Sequence, residues 1–402
     1  MPRLTNSRRL PRPAGGLQRY LLAGLLLGLA VLGATLGGCG GGVGTGGTGG
    51  FASGPITGFG SVIVNGVRFD DGSAVVVDGD GVTRSRDLLR LGMTVEIDGT
   101  DIGDTTGVAT RIRYDSELLG LVDTAVDAAS GGFTLLGQRV LVDSATVFDE
   151  GVGGLAALRK GQTLEVYAVF DPAAASYRAS RVGPAAGNAT PHVRGLVAQA
   201  DTGARTLRIA EVNYSYGSAS GVPDNVGAGQ YVRLNLSSSL PISGRYGVQA
   251  FGTAVAALPD SDKGSVKGLI SSFVSSRSFS VNGRPVDASA ANFSNGTAGL
   301  AVGVRVEVEG AVRSGTLKAS KVSIDSDVQQ NNQTFELHGA ITAVDTAQKT
   351  CALRGITVST ARTDLAYSNG TAAALAVGRQ IAVRGKLSAD GLRIDATSIA
   401  FE

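Results

Sequence analysis

One strand pattern recurs along this chain and limits what it can fold into. A short strand that opens on glycine occurs five times, about 70 residues apart, at Gly54, Gly120, Gly195, Gly268 and Gly339. In each copy a later glycine precedes an alternating strand, such as "GVRVEVEG" at 303–310. Alternation of apolar and polar residues with period two indicates a strand with one face on a core. The sequence therefore predicts five tandem β units.

Two smaller motifs belong to this repeat. "SVIVNGVRFD" at 61–70 and "SFSVNGRPVD" at 278–287 share a "VNG" whose glycine suits a tight turn with positive φ. Four units end on Ala, two polar residues and Ile or Val, at Ala109 to Ile112, Ala179 to Val182, Ala319 to Val322 and Ala396 to Ile399. Residues three apart point to opposite faces of a regular strand, so either the alanine faces outward or a β-bulge re-aims it. We favour the bulge.

The repeats set the domain boundaries and the fold class. Five units are predicted at 51–118, 119–186, 192–258, 264–326 and 335–402, and the third is divergent because it lacks the ending motif. Four or five strands in one such unit would leave open edges in a flat sheet, so closure is favoured. The prediction is an all-β chain of tandem small OB-like barrels, with a two-layer sandwich as the alternative.

A unit of this size is marginally stable alone, because it buries only about 60% of its unfolded surface. Contacts between consecutive units should supply the missing stability. We therefore expect the units to follow one another in a rod or an arc.

The amino terminus has the pattern of an export signal. A basic stretch ends at Arg19, and the apolar run "YLLAGLLLGLAVLGATL" at 20–36 is shorter than the ~20 residues of a membrane-spanning helix. The next residues, "LGGC", resemble a bacterial lipobox, which implies a signal peptide over 1–38, cleavage between Gly38 and Cys39, and acylation of Cys39. A plain secretory signal or an uncleaved anchor is the alternative.

Residues 39–50, "CGGGVGTGGTGG", form a glycine-rich tether with no side chain suited to burial. Three acyl chains on Cys39 would hold the protein on a membrane, since each buried CH₂ contributes ~0.8 kcal/mol. In lipoproteins of the type that the lipobox resembles, an aspartate directly after the cysteine favours retention in the inner membrane. Gly40 stands at that position here, so the resemblance implies the outer membrane.

The repeats behind a lipobox resemble a family of proteobacterial lipoproteins classified only by a domain of unknown function. The resemblance rests on "GSVIVNG" at 60–66, "VGVRVEVEG" at 302–310 and "LKASKVSID" at 317–325. It implies a fold and a location in the cell envelope. It brings no catalytic residues.

Charge argues against a nucleic-acid partner. The formal charge of +2 includes five arginines within residues 1–38, so the rest of the chain is mildly acidic. Without blocks of Lys or Arg, the body offers no electrostatic surface for phosphates.

Residues with reactive side chains are few and scattered. Cys351 aligns with Phe279 and Phe133 of other units, so we expect a buried thiol in a strand. His338 is expected in solvent and His192 in a linker, too far apart in sequence to form a zinc site or a triad. Asp78 and Asp80 form a D-x-D-G fragment without the further ligands of a calcium loop. We predict no catalytic residue, metal or cofactor.

Tyr214 and Tyr216 lie two apart in the divergent unit. On an exposed barrel face they would form a stacking platform for a sugar or a base, whereas inside they would pack against neighbouring strands. The leading hypothesis is a membrane-anchored, non-enzymatic scaffold that acts on a protein or a glycan. The alternative is a ligand-binding lipoprotein that uses a barrel face or a cleft between repeats.

Overall fold

The computed structural model describes residues 50–103, 105–127, 131–185, 189–255, 258–325 and 333–402. The predicted signal peptide, Gly38 and Cys39 lie outside these ranges. Within them the chain forms thirty strands and three single-turn 3-10 helices, and no α-helix. None of the helices in this part of the chain has the length and apolar character needed to cross a bilayer.

Barrel 1 shows the plan of all the units. It contains β1 Gly50–Phe59, β2 Val62–Val64, β3 Val67–Asp70, β4 Val75–Val77, β5 Thr83–Arg84, a 3-10 helix Arg86–Leu88, β6 Thr94–Thr100 and β7 Thr106–Tyr114. β1 pairs antiparallel with β2 and β6, β2 with β3, and β6 with β7, while β3 and β7 pair in parallel. These five pairings close a ring with the strand order of an OB-like barrel.

The other barrels repeat the plan. Barrel 2 contains β8 Leu118–Asp127, β9 Gly132–Leu135, β10 Gln138–Leu141, β11 Val147–Phe148, a 3-10 helix Leu155–Ala157, β12 Thr163–Asp171 and β13 Ser176–Pro184. Barrel 3 contains β14 His192–Asp201, β15 Thr206–Ile209, β16 Val212–Ser215, β17 Tyr231–Leu236 and β18 Tyr246–Gly252.

Barrel 4 contains β19 Ser261–Ser275, β20 Ser278–Val281, β21 Arg284–Asp287, β22 Asn292–Phe293, β23 Arg305–Arg313 and β24 Thr316–Ile324. Barrel 5 contains β25 Phe335–Asp345, β26 Thr350–Leu353, β27 Ile356–Ser359, β28 Ala366–Ser368, a 3-10 helix Ala372–Ala374, β29 Gln380–Leu387 and β30 Arg393–Phe401. The predicted tandem of closed barrels is confirmed, and the two-layer sandwich is excluded.

The "VNG" motif both turns the chain and ties the turn to the first strand. Asn65 and Asn282 have positive φ (53° and 49°), as have the glycines that follow them (78° and 77°). This pair of conformations makes the two-residue hairpin turn between the second and third strands. The Asn65 amide donates to the Ser53 carbonyl (3.1 Å), and Leu269 N–H donates to the Asn282 side chain (3.0 Å).

The predicted bulge is confirmed in all four ending motifs. The second residue of each motif has no partner across the ladder: Thr110, Ser180, Ser320 and Thr397. Each hydroxyl donates to a carbonyl of the facing strand, at 3.0 to 3.2 Å. The bulge turns both the alanine and the closing Ile or Val of each motif inward, where all eight are buried. Barrel 3 has the same bulge at Gln249 without the motif.

Some barrels pair with barrels that do not follow them in the sequence. β1 pairs in parallel with β19 of barrel 4 and, at its other end, with β25 of barrel 5. The first part of β1, Gly50–Ser53, pairs with β6 on one edge but does not reach β2 on the other. Because the backbone N–H and C=O groups on that second edge would be unpaired, β19 pairs with them. Barrel 1 therefore contacts barrels that are distant in sequence, in addition to the contacts between consecutive barrels that the sequence predicted, such as the pairing of β8 with β14.

Three apolar cores fill these barrels. Barrels 1 and 5 share one contiguous core that also includes Val147 and Tyr167 of barrel 2. Barrels 2 and 3 share another, and barrel 4 has a third that includes Phe51 of barrel 1. Ser261 already pairs with Val312, so barrel 4 begins before the predicted residue 264.

Candidate functional site

The two tyrosines predicted as a possible stacking platform lie in the interior. Tyr214 is 0% and Tyr216 2% exposed. The Tyr214 ring packs 5.8 Å from Tyr246, and Tyr216 meets Phe251 edge-on at 5.6 Å. The Tyr214 hydroxyl accepts a hydrogen bond from Gln138 of barrel 2 (2.9 Å). Stacking on a ligand needs an exposed ring face, so the stacking hypothesis is wrong for this pair and the packing alternative describes it.

Cys351 is buried in β26, as its alignment with two phenylalanines predicted. Burial raises the pKa of its thiol to about 11, so the reactive thiolate is scarce at neutral pH. The side chain acts as a small hydrophobic residue.

His338 is not the solvated residue that the sequence predicted. Its two ring nitrogens lie 2.6 Å from Glu336 and 2.7 Å from Glu402. Glu336 also pairs with Arg384 (2.9 Å) and with Arg68 of barrel 1. These contacts, with burial opposing them, hold the pKa of Glu336 below its usual value. The cluster links barrel 5 to barrel 1.

The D-x-D-G fragment at Asp78 and Asp80 forms a turn. The Asp78 side chain accepts from the backbone N–H groups of Asp80 (3.1 Å) and Val82 (2.9 Å) and pairs with Arg84 (2.7 Å). Among all the described residues, no three His, Cys, Asp or Glu side chains are placed to hold a metal ion.

The densest group of buried charges lies where barrels 1, 2 and 3 meet, and we call it the charged junction: Asp115, Glu117, His192, Arg194 and Arg233. The first two belong to the connector between β7 and β8, and the others to β14 and β17. None of the five side chains is more than a tenth exposed. His192 thus begins a strand and is buried, which corrects its predicted place in a linker.

The fold requires an acid at this junction. Arg194 and Arg233 face each other across the β14–β17 ladder, and directly opposed like charges destabilise a sheet. Asp115 lies between them, 3.1 Å from the Arg233 Nε and 3.8 Å from the Arg194 Nε. Asp80 adds a second contact to Arg233, at 2.7 Å.

Glu117 holds barrel 2 to barrel 3. One carboxylate oxygen accepts from the Ala168 N–H (2.9 Å), and the other lies 3.3 Å from Arg194. Burial raises the pKa of Glu117 to about 7, although Arg194 and the Ala168 N–H oppose that rise. Burial also lowers the pKa of His192, whose Nε2 lies 3.0 Å from the Ser116 carbonyl oxygen.

A perturbed carboxyl group in a cavity is the usual sign of an active site. Here the adjoining cavity measures about 50 Å³, which is room for a few waters and far below the ~300 Å³ of a small-molecule pocket. Both oxygens of Glu117 already have partners. The arrangement can fix the barrels relative to one another, and it offers no space for a substrate.

Sequence reasoning missed this junction, although a signal was present. Arg194 and Arg233 align with Lys267 and Glu307 of barrel 4, which also face each other across a ladder. Barrel 3 has two positive charges at facing positions where barrel 4 has one positive and one negative charge. This difference indicates that an acidic residue from outside barrel 3 must neutralise the two arginines. Nothing local identifies Asp115 as that acid.

The face formed by the second and third strands, which carries ligands in many OB-folds, is used for assembly here. In barrel 1, Arg68 pairs with Glu336 of barrel 5. In barrel 2, Gln138 donates to the Ile209 carbonyl of barrel 3 (3.2 Å). In barrel 4, Arg284 pairs with Glu96 of barrel 1 (2.5 Å).

A larger open cleft separates barrels 1 and 4. Its volume is about 760 Å³, and its lining includes Asn65 from one barrel and Lys263, Glu307 and Lys318 from the other. Its size fits a small molecule or a short oligosaccharide.

No curated protein matches this chain. Four chains of solved structures match it. One, titled "drosophila Unr CSD456", is 16% identical over 44% of this chain and 78% of that chain, with a TM-score of 0.13. That likeness is too low to bear on function.

One family matches four separate segments of the sequence, at residues 53–113, 120–183, 267–323 and 338–400. The segments correspond to barrels 1, 2, 4 and 5 and together cover more than half of the chain. Barrel 3 is outside them, although it has the same strand order. The chain belongs to the family described as "Domain of unknown function (DUF5666)".

Proposed function

We propose that this protein is a non-enzymatic scaffold of the cell envelope, held on a membrane by acyl chains on Cys39. The observation that carries the proposal is the use of the barrels' second-to-third-strand faces in binding one another. The candidate reactive side chains, Glu117, His192 and Cys351, are likewise occupied by structural contacts or core packing. A body assembled in this way presents fixed outer surfaces to a protein or a glycan.

The anchor rests on the sequence. "LGGC" at 36–39 has the lipobox pattern of proteobacterial lipoproteins, and the residue after Cys39 is glycine, which favours the outer membrane. We expect Cys39→Ala to abolish labelling by radioactive palmitate and to leave the precursor unprocessed. Cys351→Ala is the matched control, and it should be labelled and processed normally. Normal maturation of the Cys39→Ala protein would refute the anchor.

The scaffold role is tested separately. Chemical crosslinking in cells should capture the same envelope component with the wild type and with a Cys351→Ala control. The Cys39→Ala protein should lose that component if the anchor is needed to reach it. A purified chain that turns over a substrate, and stops doing so after one carboxylate substitution, would overturn the non-enzymatic assignment.

A second candidate function is the binding of a small polar ligand in the cleft between barrels 1 and 4. The cleft's volume and its mixed lining of Lys263, Glu307 and Asn65 favour it. A thermal-shift screen with neutral and acidic oligosaccharides tests it: a ligand should raise the melting temperature of the wild type, but not that of a Lys263→Ala, Glu307→Gln double variant. Equal shifts in both proteins would exclude the cleft.

A further inference from the structure

Barrel 3 presents an apolar tip to solvent. The loop at 237–245, between β17 and β18, contains Leu240, Pro241 and Ile242 in sequence, and all three are exposed. Leu240 is 60% and Ile242 79% exposed. Single apolar residues on a surface are ordinary, but three in a row at the end of a loop indicate a contact surface.

The loop itself is held in shape by hydrogen bonds. Ile242 N–H donates to the Arg245 carbonyl (2.8 Å), and Arg245 N–H donates back to the Ile242 carbonyl (3.1 Å). Ser243 and Gly244, with φ of 51° and 75°, form a two-residue turn between them. Leu240 N–H donates to the Ser238 hydroxyl (3.0 Å). The apolar residues are therefore fixed in an outward position.

This excursion is a feature of barrel 3. In barrel 4 the same two strands are joined by Ser314 and Gly315 alone. In barrel 2 they are joined by residues 172–175. The barrel closes with a far shorter connection, so the longer apolar loop is not required by the fold.

The chain segment that forms the tip carries no acidic residue. The sequence from Asn225 to Pro259 contains no Asp or Glu. Arg245 is exposed at the base of the tip, beside Ile242. Aliphatic residues that enter the acyl region, with a cation left at headgroup level, are the elements of interfacial membrane binding.

We propose that the tip at Leu240–Ile242 inserts into a lipid surface with anionic headgroups. An exposed aliphatic tip with one adjacent cation and no acid in its own segment suits a fluid apolar phase with anionic headgroups better than a specific protein surface. The inference deepens the proposed function, because the anchored body would gain a second lipid contact that fixes its orientation. It does not depend on Cys39.

The absence of tryptophan from the sequence allows a direct test. Residues 48–402 form one compact unit that contains all three apolar cores, so a chain that begins at Thr48 keeps the whole body and loses the apolar leader. In that chain, Ile242→Trp places a single tryptophan at the tip, whose emission can be excited apart from that of the tyrosines. Val274→Trp is the matched control, because Val274 is 81% exposed on barrel 4.

Vesicles of phosphatidylethanolamine and phosphatidylglycerol should shift the emission of the Ile242→Trp protein to shorter wavelength and leave the control unchanged. In flotation with the same vesicles, Leu240→Ser plus Ile242→Ser should lower the bound fraction at least threefold, and Val274→Ser should not. Equal shifts, no shift or equal flotation would overturn the proposal. So would a change in oligomeric state on light scattering, since the tip would then join two copies. Absence of palmitate labelling from the wild-type full-length chain would refute only the anchor.

Discussion

Barrels 3 and 4 share a strand order and a bulge, but they treat one pair of facing positions in opposite ways. In barrel 4 the pair is Lys267 and Glu307, which have charges of opposite sign and face each other across the ladder. In barrel 3 the pair is Arg194 and Arg233, and the neutralising acid, Asp115, comes from the connector between barrels 1 and 2. Barrel 4 neutralises the charges of this pair with its own residues, whereas barrel 3 needs an acidic residue from outside the barrel. Divergence of a repeat has thus turned an internal contact into a contact between barrels.

The largest effect should come from removing that shared acid. Asp115→Asn removes the acid that lies between two buried guanidinium groups. Arg194 keeps Glu117 and Arg233 keeps Asp80, which is 62% exposed, so we expect a cost at the lower end for a broken buried ion pair, about 3 kcal/mol. We expect the midpoint of urea unfolding to fall accordingly. Glu307→Gln in barrel 4 is the matched change, and it should cost about 1 kcal/mol or less because Lys267 retains Asp325 at 3.2 Å. Equal losses would show that barrel 3 is as self-sufficient as barrel 4.

The next effect is a dependence on pH. Burial raises the pKa of Glu117 from 4.5 to about 7, so the folded protein keeps a proton that the unfolded chain releases. The stabilisation from this group is complete below about pH 4.5 and is lost as the pH rises through about 7, which amounts to roughly 3 kcal/mol.

Glu117→Gln removes that proton exchange. We expect the free energy of unfolding of the wild type, relative to the variant, to decrease between about pH 5 and about pH 8. The comparison cancels His192, whose lowered pKa acts in the opposite direction in both proteins. A constant difference across this range would contradict the role given to Glu117.

A smaller effect should distinguish the cores of the two barrels. Tyr214 of barrel 3 occupies the position of Val286 in barrel 4, and its hydroxyl accepts from Gln138. Tyr214→Phe removes that acceptor and leaves part of a buried amide unpaired, at a cost of about 1 to 2 kcal/mol in thermal unfolding. Gln138→Leu together with Tyr214→Phe removes the unpaired amide but also its bond to the Ile209 carbonyl, so we expect it to restore only part of the loss. An unchanged melting temperature in the Tyr214→Phe variant would mean that the bond contributes little.

The sequence predicted what depends on residues close together in the chain. Strand alternation, the "VNG" turns and the bulges at Ala109 or Ala319 follow from local geometry, and the structure has them all. The tyrosine pair was ambiguous, because a spacing of two places both rings on one face without saying whether that face is the inner one. The contacts between barrels could not be predicted from the sequence, because Asp115 lies beside Arg233 only in the assembled structure of three separate barrels.

The smallest change in stability should come from the β-bulge in the last strand of each barrel. Barrels 3 and 4 both have this bulge, but only in barrel 4 does a side-chain hydroxyl hydrogen-bond across it. In barrel 4 the Ser320 hydroxyl donates to the Glu309 carbonyl (3.1 Å), whereas Gln249 of barrel 3 is exposed at the same place. We expect Ser320→Ala to cost about 1 kcal/mol and Gln249→Ala less than about 0.5 kcal/mol in urea unfolding. If the two costs are equal, the hydroxyl is dispensable and barrel closure alone sets the bulge. A difference in the expected direction would show that Ala-Ser/Thr stabilises a bulge that the fold already requires, which explains how barrel 3 could lose the motif and keep its shape.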